Sequence, residues 1–142
     1  MKRRDAREQA FCLLFQQTCS GDPVDEILQA ANEARDIAPD SFAEALCRGV
    51  EDNLGEIDGE IESHLKGWNM RRLSKVALTL LRLAAYELIF EGETPPAVSI
   101  NEAVELAKTY GTQGDPAYIN GVLGSIAKER RPEKPVQERP AP

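Results

Sequence analysis

"VALTLLRLAAYELIF", residues 76–90, decides the fold. At roughly 100° per residue, Leu73, Val76, Leu80, Leu83, Ala84 and Leu88 share one stripe, while Leu78, Leu81, Ala85 and Ile89 share another. The spacing predicts a helix over 71–90 that is apolar on most sides, the signature of a helix at the centre of a bundle. Arg82 and Glu87 interrupt it, and it is too short to span a membrane. Thr94-Pro95-Pro96 enforces a break after it.

Working outward, helical periodicity recurs and no segment alternates as a strand does. Downstream, "SINE" (99–102) reads as a capping box opening a helix that runs through Tyr110 to Gly111. Asp115-Pro116 pairs a cap with a first-turn proline and starts a last helix to about Arg130. Upstream, a first helix covers about 3–19, with Ala6, Ala10, Leu13, Leu14 and Gln17 near one face and Phe11 and Phe15 widening it. Gly21 stops it, and Asp22-Pro23 opens a second helix over 23–36. "SFAE" (41–44) reads as another capping box. Gly55 and Gly59 leave 41–65 open as one bent helix or two. The expectation is an all-α domain of six to seven helices over 1–130. "RPEKPVQERPAP" (131–142), with four prolines, is expected to be a disordered tail.

A chain of 142 residues that is 42% hydrophobic and 29% charged fits one globular domain. Cys12, Cys19 and Cys47 are odd in number and lack a CxxC spacing, which suits reduced thiols of the cytoplasm. The N-terminus lacks a continuous apolar region and cleavage site, which argues against export. The net charge of −7 argues against non-specific coating of nucleic acid, but that charge is segregated. Residues 1–10 sum to +2, residues 20–64 to −11 and residues 65–90 to +4.

Chemistry is sparse. His64, the only histidine, stands beside Glu60 and Glu62 with no cysteine near it, and reads as a surface residue rather than a metal ligand. No phosphate-cradling glycine motif occurs. These features imply no catalytic residues, no metal and no cofactor: a binding protein.

The basic start, "MKRRDAREQA", is more informative. On a helix, Arg3, Arg4 and Arg7 fall within an arc of roughly 100°, beside Lys2. Their planar forks suit phosphate and base edges, and cations at a helix N-terminus oppose the macrodipole. The plainer reading is a solvated helix start paired with Asp5 and Glu8. A second candidate is "YGTQGDPAYINGVL" (110–123), where Tyr110 and Tyr118 flank a turn ahead of a helix N-terminus. Such aromatics can stack single-stranded RNA bases, or simply cover the core.

Three stretches, "RRDAREQAFCLLFQ" (3–16), "LLRLAAYELIF…PPAVSINEAVELAKTYG" (80–111) and "AYINGVLGSIAKE" (117–129), together resemble the transcription antitermination factor NusB family. Arg82, Tyr86, Glu87, Asn101, Glu102, Ala103, Leu106, Ala107, Tyr110 and Gly111 stand in that family's order and spacing. The resemblance implies two three-helix bundles packed across each other, and no enzyme activity. It implies pairing with the ribosomal protein NusE, binding of boxA-type single-stranded RNA, and contact through other Nus factors with RNA polymerase. Carried over by position, RNA contacts fall on Arg3, Arg4, Arg7, Tyr118 and Asn120, and partner contacts on Phe15 and Glu87; Lys2 of the basic start and Tyr110 of the second candidate stretch complete the expected RNA contacts. Asn101 and Glu102 are assigned to structure. The protein would be a monomer or a homodimer. Two departures stand out: Asp5 lies inside the arginine cluster, and Ala77-Leu78 replaces a polar pair. They motivate the rival reading, a helical protein–protein adaptor with weakened or lost RNA binding. A third reading, an accessory to RNA modification, draws on the similar domain that precedes some RNA cytosine methyltransferases, for which this chain leaves no room.

Overall fold

Among the residues that the computed structural model describes (1–35, 39–67 and 69–130, the side chain of Arg35 excepted) there are seven α-helices and no strand. They are α1 (Arg3–Ser20), α2 (Val24–Arg35), α3 (Ser41–Asp52), α4 (Leu54–Glu62), α5 (Lys75–Tyr86), α6 (Pro96–Tyr110) and α7 (Asp115–Arg130). Helices α1–α3 pack as one bundle and α5–α7 as a second, with α4 between them. The expected tail, 131–142, lies outside the described residues.

The centre is α5, which touches α1, α3, α4, α6 and α7. Leu80, Leu81 and Ala85 are fully buried, as a helix apolar on most sides must be. Around them close Leu46 of α3, Ile57 and Ile61 of α4, and Ile119, Leu123 and Ile126 of α7. At Gly49 the approach of α3 to α5 is so close that a Cβ would overlap the Tyr86 ring.

Several element limits depart from expectation. Ser74, not residue 71, begins α5: its Oγ accepts from the Ala77 N–H at 3.0 Å, while Met70–Arg72 form a separate 3₁₀ turn. At its far end the helix widens into a π-turn, Glu87–Glu91. Gly92, at φ 75°, closes that turn by donating its N–H to the Glu87 carbonyl at 3.2 Å.

Asp40, not Ser41, caps α3, accepting from the Phe42 N–H at 2.8 Å. The expected Ser41 capping box is therefore displaced by one residue. The stretch 41–65 holds two helices, divided at Asn53 rather than at a glycine. Asn53 leaves helical geometry (φ −118°, ψ 21°) and its Nδ2 donates to the Gly49 carbonyl at 2.8 Å. The start of α2 is completed from a distance: the Val24 N–H donates to the Glu51 carboxylate at 2.9 Å. Pro95 and Pro96 open α6, three residues ahead of Ser99. Ser99 is instead buried and donates from Oγ to Glu87 Oε1 at 2.8 Å. Asp115 turns back and accepts from the Thr112 N–H at 2.9 Å.

Candidate nucleic-acid interface

The three arginines of α1 leave the helix on one side and reach three different elements. Arg3 lays its guanidinium over the Phe42 ring of α3, 3.8 Å from the centroid. Arg4 makes a two-pronged contact with Glu102 of α6, Nε to Oε1 at 3.1 Å and Nη2 to Oε2 at 2.9 Å. Arg7 does the same with Glu87, at 2.9 and 3.0 Å, and adds Thr94 Oγ1 at 3.3 Å. The Arg4 pair is open at one end only, with the arginine side chain 65% exposed and the Glu102 side chain 13%. The Arg7 pair is sealed, with side-chain exposures of 6% and 2%.

Two of the expected site residues are thus buried. Arg7 does not stand in solvent beside Arg3 and Arg4, because the short Ala6 and Ala10 let α1 settle onto the core and carry the Arg7 side chain in with them. Glu87, the first residue of the π-turn, points inward, where Arg7 binds both of its carboxylate oxygens and Ser99 adds a third hydrogen bond. One residue expected on the RNA face and one expected on the partner face therefore meet each other.

Lys2, Arg3, Arg4 and Asp5 are exposed. Lys2 occupies the N-cap position of α1, and Asp5 places one carboxylate in the first turn, where the macrodipole favours it. Tyr110, at the end of α6, lies against the middle of α1: its ring packs on Phe11 with centroids 4.9 Å apart, and its hydroxyl donates to Glu8. That hydrogen bond, together with burial, pushes the Tyr110 hydroxyl pKa up. Lys2, Arg3, Arg4 and Tyr110 thus follow one seam, where α1 runs beside α3 and α6. Tyr118 and Asn120 sit apart from it, on the first turns of α7. Tyr118 is half-buried, faces His64, Leu65 and Lys66 across a small pocket, and has its pKa raised by burial; Asn120 is exposed. Phe15 is half-buried, with its ring 5.9 Å from that of Phe11.

The sequence pattern did not single out Phe42, which lies under Arg3, and read Thr94 and Ser99 only as break and cap residues, whereas Thr94 accepts from Arg7 and Ser99 donates to Glu87. Glu102, assigned to structure, turns out to hold Arg4. His64, read as a surface residue, is largely buried between α4 and α7. Arg82 grips Asp58 of α4 through two bonds of 2.9 and 2.8 Å.

Two crossed helical bundles with a basic, aromatic-flanked helix start define a helical binding module. The NusB family model matches residues 4–128, nearly the full helical region. A transcription antitermination protein NusB from Clostridium botulinum (strain Loch Maree / Type A3) is 42% identical over 141 residues, covering 89% of this chain and 99% of the relative. The NusB structure from T. maritima superposes with a TM-score of 0.82 at 37% identity, covering 96% of this chain and 98% of that one. A chain from a complex of the antitermination factors NusB and NusE with dsRNA gives a TM-score of 0.80 at 30% identity, over 89% and 96% of the two chains. The chain belongs to the NusB family.

Proposed function

We propose that this chain is a transcription antitermination factor that binds boxA-type RNA in nascent transcripts together with the ribosomal protein NusE. The carrying observation is the exposed cluster Lys2, Arg3 and Arg4 at the start of α1, the positive end of an otherwise acidic chain. Two exposed guanidiniums and an ammonium on one rigid turn can engage phosphates, Arg4 by exchanging its Glu102 carboxylate for one, while Tyr110, Tyr118 and Asn120 supply stacking and hydrogen-bonding groups. Phe15, half-buried beside Phe11, is the partner contact. Arg7 and Glu87 serve this face by anchoring the helix that carries it. The protein works in the cytoplasm as an adaptor without chemistry of its own, linking RNA to polymerase through other Nus factors. Among the described residues no helix is long and apolar enough to cross a membrane.

Fluorescence anisotropy of labelled boxA-type RNA, with and without NusE, tests this. NusE raises the affinity, and neutralising Arg3 and Arg4 together (R3Q/R4Q) removes most of it while leaving NusE binding intact. The rival reading, a protein adaptor with weakened RNA binding, is favoured by one observation, the capture of Arg4 by Glu102. It predicts NusE binding with no RNA protection in either protein.

A further inference from the structure

His64 lies just past the end of α4 and reaches α7 with both ring nitrogens. Nδ1 stands 2.7 Å from Ser125 Oγ. Nε2 stands 2.7 Å from Glu129 Oε1 and 3.4 Å from Glu60 Oε2. The other oxygen of Glu60, Oε1, is taken by Arg130 at 3.3 Å. Each residue therefore offers one donor atom to a common point, and the three donors lie within 4.8 Å of one another.

We propose that Glu60, His64 and Glu129 form a binding site for a divalent transition-metal ion of the zinc type, which clasps α4 to α7. Three features of the cluster carry it. The ring is oriented from behind: the Ser125 hydroxyl fixes Nδ1, so Nε2 is the nitrogen presented to the carboxylates, as in metal sites where an outer partner sets the imidazole. The donor set, one imidazole and two carboxylates, suits zinc and its neighbours, whereas calcium and magnesium prefer oxygen alone. The mobility is where it is needed. Glu60 and His64 are largely buried, with side chains 17% and 11% exposed, while Glu129 is 63% exposed on the last turns of α7.

Bonds of about 2.0–2.2 Å to zinc bring tetrahedral donors to roughly 3.5 Å from one another. The His64–Glu60 separation of 3.4 Å already has that value, and rotation of the exposed Glu129 side chain lets its oxygen move out from 2.7 Å to the same spacing. A pocket of about 250 Å³, lined by His64, Lys66 and Tyr118, adjoins the ring and gives solvent access on that side. Three protein ligands leave a fourth position for water. Binding takes the Nε2 lone pair, so it replaces the contacts of that nitrogen with the same carboxylates. The site shares none of its three ligands with the RNA face, although Tyr118 lines the adjoining pocket.

The test is a titration of the full chain with zinc chloride by calorimetry, with cobalt(II) absorption as a second reading. The expected result is one saturable equivalent of zinc, a rise in Tm on binding, and a cobalt spectrum without a thiolate charge-transfer band. Both His64→Gln and Glu129→Gln weaken zinc affinity at least tenfold, and Ser125→Ala weakens it by about tenfold through loss of ring orientation. Should His64→Gln fold poorly, Glu129→Gln decides alone, because that residue is exposed and circular dichroism confirms its fold. Absence of a saturable equivalent, unchanged affinity in Glu129→Gln, or a cobalt–thiolate band pointing to the cysteines overturns the proposal.

Discussion

The guanidinium of Arg7 and the carboxylate of Glu87, 80 residues apart in sequence, face each other through two hydrogen bonds of 2.9 and 3.0 Å inside the protein. Such a pair offsets its own desolvation only while both members remain, so removing one strands a buried charge at a cost of about 3–5 kcal/mol. Arg7→Ala and Glu87→Ala are each expected to lose stability on that scale in urea melts. The double substitution R7M/E87M recovers most of it, because apolar side chains of similar length need no partner. RNA binding measured on the double variant then separates anchoring from contact: it persists if Arg7 acts through the position of α1. A double variant that folds well but has lost RNA binding sinks the anchoring role.

That pair also marks how far the sequence could be read. Periodicity identifies α5 as central, because its stripes show that it is apolar on most sides, and the Gly21 stop follows from local chemistry. Helix starts are harder. The cap of α3 sits at Asp40, one residue before a motif that fits equally well, and the start of α2 is completed by Glu51, which no local pattern reveals. At the candidate interface, helical angles put Arg3, Arg4 and Arg7 on one side but do not say which neighbour covers it. Only tertiary packing buries Arg7 against the π-turn and leaves Arg4 in solvent. His64 shows the same limit: its partners Ser125 and Glu129 lie on a helix some sixty residues away, as the separations of 61 and 65 record.

Glycine substitutions distinguish packing from propensity. Gly49 has the Tyr86 ring where its Cβ would go, so Gly49→Ala forces that ring, stacked on Phe90 at 5.8 Å, to shift. Overpacking of this kind costs about 1–3 kcal/mol. Gly59, in α4, has nothing within 4 Å of an added Cβ, so Gly59→Ala gains about 0.5–1 kcal/mol from reduced backbone entropy. Opposite signs in matched denaturant melts are expected. A stabilising Gly49→Ala contradicts the close approach of α3 to α5.

Cys47 sets an alkaline limit. Buried in α3 with its thiol directed at the Ala10 carbonyl, it has its pKa pushed from 9.0 up to about 12, first by burial and then by the nearby Glu44. The neutral thiol is favoured in the folded state, so its contribution is complete below pH 9. Above that, the unfolded chain releases the proton first, and stability falls by about 1.4 kcal/mol per pH unit until about pH 12. Tyr110 and Tyr118, also raised, act in the same direction. Cys47→Ala isolates the thiol: its stability curve is flatter than the parent's between pH 9 and 11. Parallel curves exclude this role for Cys47.

Glu102 holds Arg4 in a two-pronged contact on the exposed face of α1, so the carboxylate occupies the fork that a phosphate would take. An RNA that uses Arg4 must displace Glu102, and the pair's carboxylate, which raises the Arg4 pKa, repels the backbone meanwhile. The arginine end of the pair is open to solvent, which weakens it, so releasing Arg4 changes affinity modestly, by roughly two- to fivefold. Glu102→Gln is expected to tighten binding of boxA-type RNA by that factor. It is also expected to steepen the salt dependence by about 0.7 log units per added phosphate contact. Arg4→Gln in the Glu102→Gln background abolishes both gains, which assigns them to this guanidinium and not to a general loss of negative charge. Asp5→Asn, in the same first turn but not paired with Arg4, provides the charge-matched comparison. If it tightens RNA as much as Glu102→Gln and leaves the Arg4 dependence unchanged, the effect is long-range electrostatics and the masking of Arg4 is rejected.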